Sequence, residues 1–221
     1  MSGVIIIEDH LMFQDVLRTL VEDTLNLKLM GVSATGSDGI ALFAENKPDV
    51  VLLDLDLPDM DGFTVTNEIL KIDPHVRILA ISSLSDEFTL FRVLRSGLFG
   101  FVDKTTERIE TVAHALQEVL EWRPFYSAGV YQFNLIQQAD PRSFPKILTL
   151  REQELMCYFG VGLHNDAIAA KLKLSAMTVQ SHRRNIMSKL GLQSTPDLIR
   201  YALAKGFTQV SRIRQDDPAE S

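Results

Sequence analysis

Short, wholly apolar runs alternate with stretches of helical period along the first half of the chain. Val4–Ile7 is one such run, as expected for a strand buried on both faces. From Phe13 onward, apolar side chains recur at Phe13, Val16, Leu17, Leu20 and Val21, a spacing that puts them on one helical face. Val50–Leu53, introduced by Pro48 and Asp49, reads as a further strand, as do Val76–Ile81 and Gly100–Val102. Residues 37–46, 64–72, 86–96 and 108–121 carry helical patterns. Strand–helix alternation of this kind predicts an α/β module, a doubly wound five-stranded parallel sheet with helices on both faces. Ligands of such sheets sit at the carboxyl ends of the strands.

The pattern then changes. Residues 126–146, YSAGVYQFNLIQQADPRSFPK, hold two prolines and no clean apolar period, and read as a linker. From Leu148 every signal is helical. Thr149 and Glu152 form a capping box for a helix that ends at Gly160 and Gly162. Asn165 is the expected cap of a second helix with Ile168, Ala169 and Leu172 on its apolar face, and Ser175 caps a third. This is helix-turn-helix spacing. On the third helix Val179, Ile186 and Leu190 share one sector, while Met177, Gln180, Ser181, Arg184 and Ser188 share the opposite one. A helix in a DNA major groove needs that division, an apolar back and a front of donors that reach base edges. Arg184 suits guanine and Gln180 suits adenine, with Arg183 and Lys189 on the flanks where phosphates lie. The expected organisation is therefore 1–125, a linker over 126–146, a helical module over 147–210 and a flexible tail over 211–221.

Charge sharpens this division. The net charge of −7 conceals 10 Lys+Arg against 21 Asp+Glu in residues 1–125, and 9 against 4 in residues 147–212. An acidic module is joined to a basic one, which restores nucleic acid as a partner for an otherwise acidic chain. A single cysteine, Cys157, excludes a disulfide framework and any Cys-based zinc cluster. No apolar run approaches the ~20 residues that span a bilayer, and the opening MSGVIIIEDH lacks the basic start of a secretory signal. A soluble cytoplasmic protein is the expectation.

The acids of the first module fall where its ligand belongs. Glu8 and Asp9 follow the first strand, Asp54 follows Val50–Leu53, Ser82 follows Val76–Ile81, and Lys104 follows the last strand. Converging carboxylates need a cation, and an all-oxygen site suits Mg²⁺. A lysine and a hydroxyl at the same rim suit a phosphoryl group.

The strings IIIEDH, VVLLDLDLPDMDG, ILAISS and GFVDK make the first module resemble a response-regulator receiver domain, flavodoxin-like in fold. The resemblance implies that Asp54 accepts a phosphoryl group from a sensor histidine kinase. It implies that Glu8, Asp9 and Asp54 bind Mg²⁺ with the backbone carbonyl of Asp56, that Ser82 and Lys104 contact the phosphoryl group, and that Phe101 is the switch aromatic. Glu8 stands where aspartate is commoner, Asp56 adds a charge beside the site, and Phe101 lacks the hydroxyl of the usual tyrosine. These departures leave a second reading open, a degenerate receiver that regulates DNA binding without phosphorylation. An aspartate-nucleophile phosphatase also uses Asp-x-Asp, but the fused basic module speaks against any enzyme.

The second module, through LTLREQEL, NDAIAAKL and LSAMTVQSHRRNIMSKL, resembles the four-helix output domain of LuxR/FixJ-type (NarL-like) regulators. That resemblance implies base-facing positions at Gln180, Ser181 and Arg184, and backbone contacts from Thr178 and His182. It also implies a final helix, Pro196–Lys205, that pairs two DNA-bound subunits on paired promoter half-sites, with exposed apolar residues expected among Leu198, Tyr201 and Ala202. Phe88, Phe91, Leu94 and Phe99 exceed what one buried helix face needs, and mark residues 84–102 as a contact surface strengthened by phosphorylation, between receivers or between domains. The expected function is a homodimerising, DNA-binding transcription regulator with no membrane partner.

Overall fold

The computed structural model describes residues 2–207, which form two compact units. The first comprises residues up to Ser85 together with Arg92–Tyr131, and the second Asp86–Phe91 together with the chain from Gln132. The expected tail, 211–221, lies outside the described residues.

The first unit alternates β1 (Gly3–Ile7), α1 (Leu11–Thr19), β2 (Lys28–Ser33), α2 (Gly36–Asn46), β3 (Val50–Leu53), α3 (Gly62–Ile72) and β4 (Arg77–Ser82). Along the chain α4 (Glu87–Val93), most of which belongs to the second unit, precedes β5 (Gly100–Asp103), α5 (Ile109–Leu120) and β6 (Phe125–Tyr126). All pairings are parallel, in the order β2-β1-β3-β4-β5-β6. The doubly wound sheet is as expected, with a sixth strand beyond the five. β6 has only two residues, too few to show a period, and its pairing is extended by the Ser127 N–H donating to the Phe101 carbonyl. α1 runs on into a π-helical turn, Leu20–Thr24, past the end that its apolar spacing suggested.

β1, β3 and β4 are buried along their whole length, which is why they read as continuous apolar runs. Arg77, at the start of β4, is the charged exception. Its guanidinium donates to the carbonyls of Val119 and Leu120 at the end of α5, and lies 4.5 Å from the Trp122 ring centroid.

The second unit contains α7 (Phe144–Ile147), α8 (Leu150–Gly160), α9 (Asn165–Leu172), α10 (Ala176–Leu190) and α11 (Thr195–Lys205). Its core joins Phe144, Leu155, Met156, Phe159, Ile168, Val179, Ile186, Leu198, Ala202 and Phe207, with Phe88, Phe91 and Cys157 packed against it. The capping box of Thr149 and Glu152 is present, and Ser175 caps α10 through the Thr178 N–H.

Three local expectations need correction. The stretch read as a linker is largely helical, α6 (Ala128–Ala139): Val130 and Phe133 are buried, but Tyr131, Leu135 and Ile136 face outward, so apolar residues on both sides blur the period. His164, not Asn165, is the N-cap residue of α9. Leu198 and Ala202, four apart on α11, both face the core, and it is Leu203 that is exposed. Tyr201 is half-buried.

Candidate functional site

The backbone brings the reactive side chains of the first unit to one rim. The ladders continue past the strands: the Glu8 N–H bonds Ser33 O, the Asp54 N–H bonds Ile7 O at 2.8 Å, and the Lys104 N–H bonds Ser82 O at 3.0 Å. Residues following β1, β3 and β5 are thereby tied to the ends of the strands beside them, along one rim of the sheet.

Lys104 Nζ lies 2.6 Å from Glu8 Oε2 and 2.6 Å from Asp54 Oδ2. Glu8 and Asp54 are buried, whereas Asp9 is exposed. Ligand oxygens of Glu8, Asp9 and Asp54 all lie within 4.8 Å of one another. Burial, followed by the Asp54 charge, raises the Glu8 carboxyl above its ordinary range, against the pull of Lys104. Three carboxylates against one ammonium leave two negative charges when all are ionised. Hard oxygen donors with that excess fit a divalent cation such as Mg²⁺.

The loop after Asp54 is shaped to the site. The Asp56 N–H donates to Asp54 Oδ1 at 3.0 Å, and Asp56 forms an isolated bridge with Asp61, the N-cap of α3. Gly62 follows, and a Cβ there would stand 2.5 Å from Leu55 Cα and 2.7 Å from the Asp54 carbonyl oxygen. Ser82 is fully buried at the end of β4, its Oγ accepting from the Leu84 N–H, and the Phe101 ring is buried in β5. The His10 side chain is outside the cluster of acids, although its N–H donates to Glu8 Oε1.

One residue escaped the sequence reading. Asp103, directly before Lys104, accepts from the Thr105 N–H at 2.8 Å and the Thr105 hydroxyl at 2.6 Å. Burial would raise its carboxyl, but these bonds and another from Ser85 hold it below the usual range. A lone acid at a strand end carries no signal of such a role.

In the second unit α10 presents Met177, Gln180, Ser181, Arg184 and Ser188 to the outside, and buries Val179 and Ile186. Thr178 is exposed in the first turn, its hydroxyl 2.8 Å from that of Ser175, and His182 is half-buried. The two flanking cations have partners within the unit. The Arg183 guanidinium lies 4.5 Å from the Phe159 ring centroid and donates to Leu163 O, and burial lowers its pKa. Lys189 Nζ sits 2.6 Å and 2.9 Å from the two carboxylate oxygens of Glu152. Of the contact surface expected over residues 84–102, Phe88 and Phe91 pack on the second unit's core, Phe99 packs on that of the first, and Leu94 is exposed.

Comparison with known proteins agrees with this division. Residues 4–116 match the family model for the response regulator receiver domain, and residues 146–202 match that for bacterial regulatory proteins of the luxR family. The chain is 36% identical over 215 residues to the oxygen regulatory protein NreC of Staphylococcus aureus, covering 91% of this chain and 97% of that one. It is 32% identical over 203 residues to the Fimbriae Z protein of Salmonella typhimurium, covering 91% and 96%. Among solved structures, RcsB from Salmonella enterica serovar Typhimurium, bound to promoter P1flhDC in the presence of phosphomimetic BeF3−, shares the fold with a TM-score of 0.64. Sequence identity there is 22%, and the match covers 93% of this chain and 98% of RcsB.

Proposed function

The chain belongs to the DNA-binding response regulators of the luxR family, which are regulators and not enzymes, and from that premise we propose that Asp54 is its phosphoacceptor. The observation that carries the proposal is the Lys104 ammonium held between Asp54 and Glu8 beside the exposed Asp9. A carboxylate oxygen of Asp54 attacks the phosphorus of a kinase phosphohistidine. The P–N bond breaks, and the imidazole leaves with the bonding pair and takes a proton from solvent. Lys104 meets the charge that develops on the phosphoryl oxygens, and the Asp56 N–H orients the attacking carboxylate through Oδ1. Mg²⁺ would be held by Glu8, Asp9, Asp54 and the Asp56 carbonyl, and would supply charge neutralisation for the transferring group.

The phosphoryl group of the product carries about −1.5 to −2 charges in place of the single carboxylate charge of Asp54, a net gain of about −0.5 to −1 at one rim. Ser82 Oγ turns from the Leu84 N–H to a phosphoryl oxygen, and Phe101 adjusts in the space beside it. This switch shifts the protein towards a homodimer. Dimerisation raises the effective concentration of two output units on paired promoter half-sites, so binding tightens without new base contacts. Gln180, Ser181 and Arg184 read base edges, while Thr178 and His182, together with whatever reach Arg183 and Lys189 retain, approach phosphates. The protein acts in the cytoplasm, where kinase and promoter are both accessible.

The test is an intact mass spectrum after incubation with a small-molecule phosphodonor and Mg²⁺, with Asp54→Ala alongside. One phosphoryl adduct on the wild type alone is expected. An adduct that survives in Asp54→Ala moves the acceptor elsewhere. No adduct from either the phosphodonor or a phosphorylated kinase, with DNA binding intact, replaces this reading with that of a receiver working without phosphorylation.

A further inference from the structure

We propose that Phe13 is a positioning residue for Lys104, holding its ammonium over the aromatic face while the carboxylates around it change partners; the inference rests on the phosphoacceptor reading above. Lys104 Nζ lies 4.5 Å from the centroid of the Phe13 ring, within the distance at which a ring quadrupole attracts a cation. Phe13 is half-buried near the start of α1, the helix that follows Glu8 and Asp9. The lysine side chain is only 15% exposed, so little water competes with the ring for the charge.

The three neighbours of the ammonium differ in what phosphorylation does to them. Glu8 and Asp54 each hold Lys104 at 2.6 Å, but both belong to the oxygen cluster that suits a divalent cation. Phosphorylation converts one Asp54 oxygen into an acyl-phosphate linkage and draws Lys104 to the phosphoryl group. The Phe13 ring is neutral, does not titrate and is no ligand for a hard cation. Its attraction for the ammonium therefore persists through every state of the two carboxylates. A lysine stem has four rotatable bonds, and a fixed face beneath its head limits how far it strays when Glu8 is released.

Phe13 also packs against the first unit's core, so a plain truncation would not separate packing from positioning. Ring fluorination does, because it weakens the quadrupole with little change in shape. The experiment places phenylalanine carrying one, two or three ring fluorines at position 13 of the full chain, with Phe13→Leu and Phe13→Tyr alongside. Two readouts are taken at constant pH. One is the acylation rate of Lys104 by an amine-reactive ester without Mg²⁺, followed by peptide mass spectrometry. The other is the rate of phosphoryl labelling with a small phosphodonor and Mg²⁺.

Lys104 acylation is expected to rise stepwise with each fluorine, and labelling to slow in the same order, by about 3- to 30-fold in total. Phe13→Leu should resemble the most fluorinated protein and Phe13→Tyr the wild type, with thermal midpoints constant across the fluorinated series. Both rates flat across that series, with the wild type labelling normally, overturn the positioning role and leave Phe13 as packing. Graded acylation with a wild type that accepts no phosphoryl group from donor or kinase overturns the phosphoacceptor reading instead.

Discussion

The Glu152–Lys189 pair ties the start of α8 to the end of α10, and removing its charge has a calculable effect. The Glu152 side chain is 6% exposed, and its carboxylate accepts from Lys189 Nζ and from the Thr149 N–H and hydroxyl. Glu152→Gln keeps a side chain able to complete the capping box but removes the ion. A bond to a charged group contributes about 1.5–3 kcal/mol and a neutral one about 0.5–1.5, so the loss should be about 1–1.5 kcal/mol. For a unit of this size that lowers the thermal midpoint by roughly 5–10 °C. Glu152→Ala should lose a further ~1 kcal/mol with the cap. Burial alone would raise the Glu152 carboxyl, but the bonds from Lys189 and Thr149 prevail and lower it. A depressed folded-state value stabilises above the unfolded-chain pKa, and that stability is lost as pH falls through the folded value. The difference between wild type and Glu152→Gln should therefore be full at pH 7 and shrink below about pH 4. Circular dichroism at 222 nm follows both units, while the single tryptophan, Trp122, reports the first alone and provides an internal control. Equal midpoints at pH 7, or a difference that persists undiminished at pH 3, would refute the assignment.

Two further substitutions test the two candidate surfaces. Arg184→Ala should weaken binding to the preferred DNA site by about 1–3 kcal/mol and relax specificity at one base pair, measured by fluorescence anisotropy on a panel of mismatched sites; an equal loss on every sequence would make it a phosphate contact. Gly62→Ala drives a Cβ to 2.5 Å from Leu55 Cα, backbone that cannot swing aside, and so displaces the Asp54 loop. Phosphoryl labelling should slow roughly 10- to 100-fold with the secondary structure intact, and labelling at the wild-type rate would show that the loop yields without cost.

The alternation of buried runs and helical periods was enough to place β1, β3, β4 and β5, because a strand covered on both faces is apolar along most of its length. The fold class, the division between an acidic and a basic module, and the convergence of Glu8, Asp9, Asp54 and Lys104 were legible for a related reason: parallel strands deliver their carboxyl ends to one rim whatever lies between them. The α10 face was legible because one helix period decides it.

Partnerships between distant segments were not legible. On a helical wheel Arg183 and Lys189 read as cations flanking Arg184 and free for phosphates, yet the first stacks on Phe159 and the second pairs with Glu152, while Arg184 remains exposed. Leu198 and Ala202 read as surface until α8 and α11 pack, and α6 hides its period because apolar residues occupy both its sides. Phe13 belongs to the same class, an aromatic at core spacing that becomes a seat for Lys104 only when the fold brings the residue after β5 over its ring. Sequence alone determined most of the periods, the capping box of Thr149 and Glu152 and the strand-end chemistry, since these depend on neighbours a few residues apart. Only the tertiary structure decided which cation each carboxylate or ring receives, since an ion's partner is set by proximity in space, and the Glu8–Lys104 pair joins residues 96 positions apart.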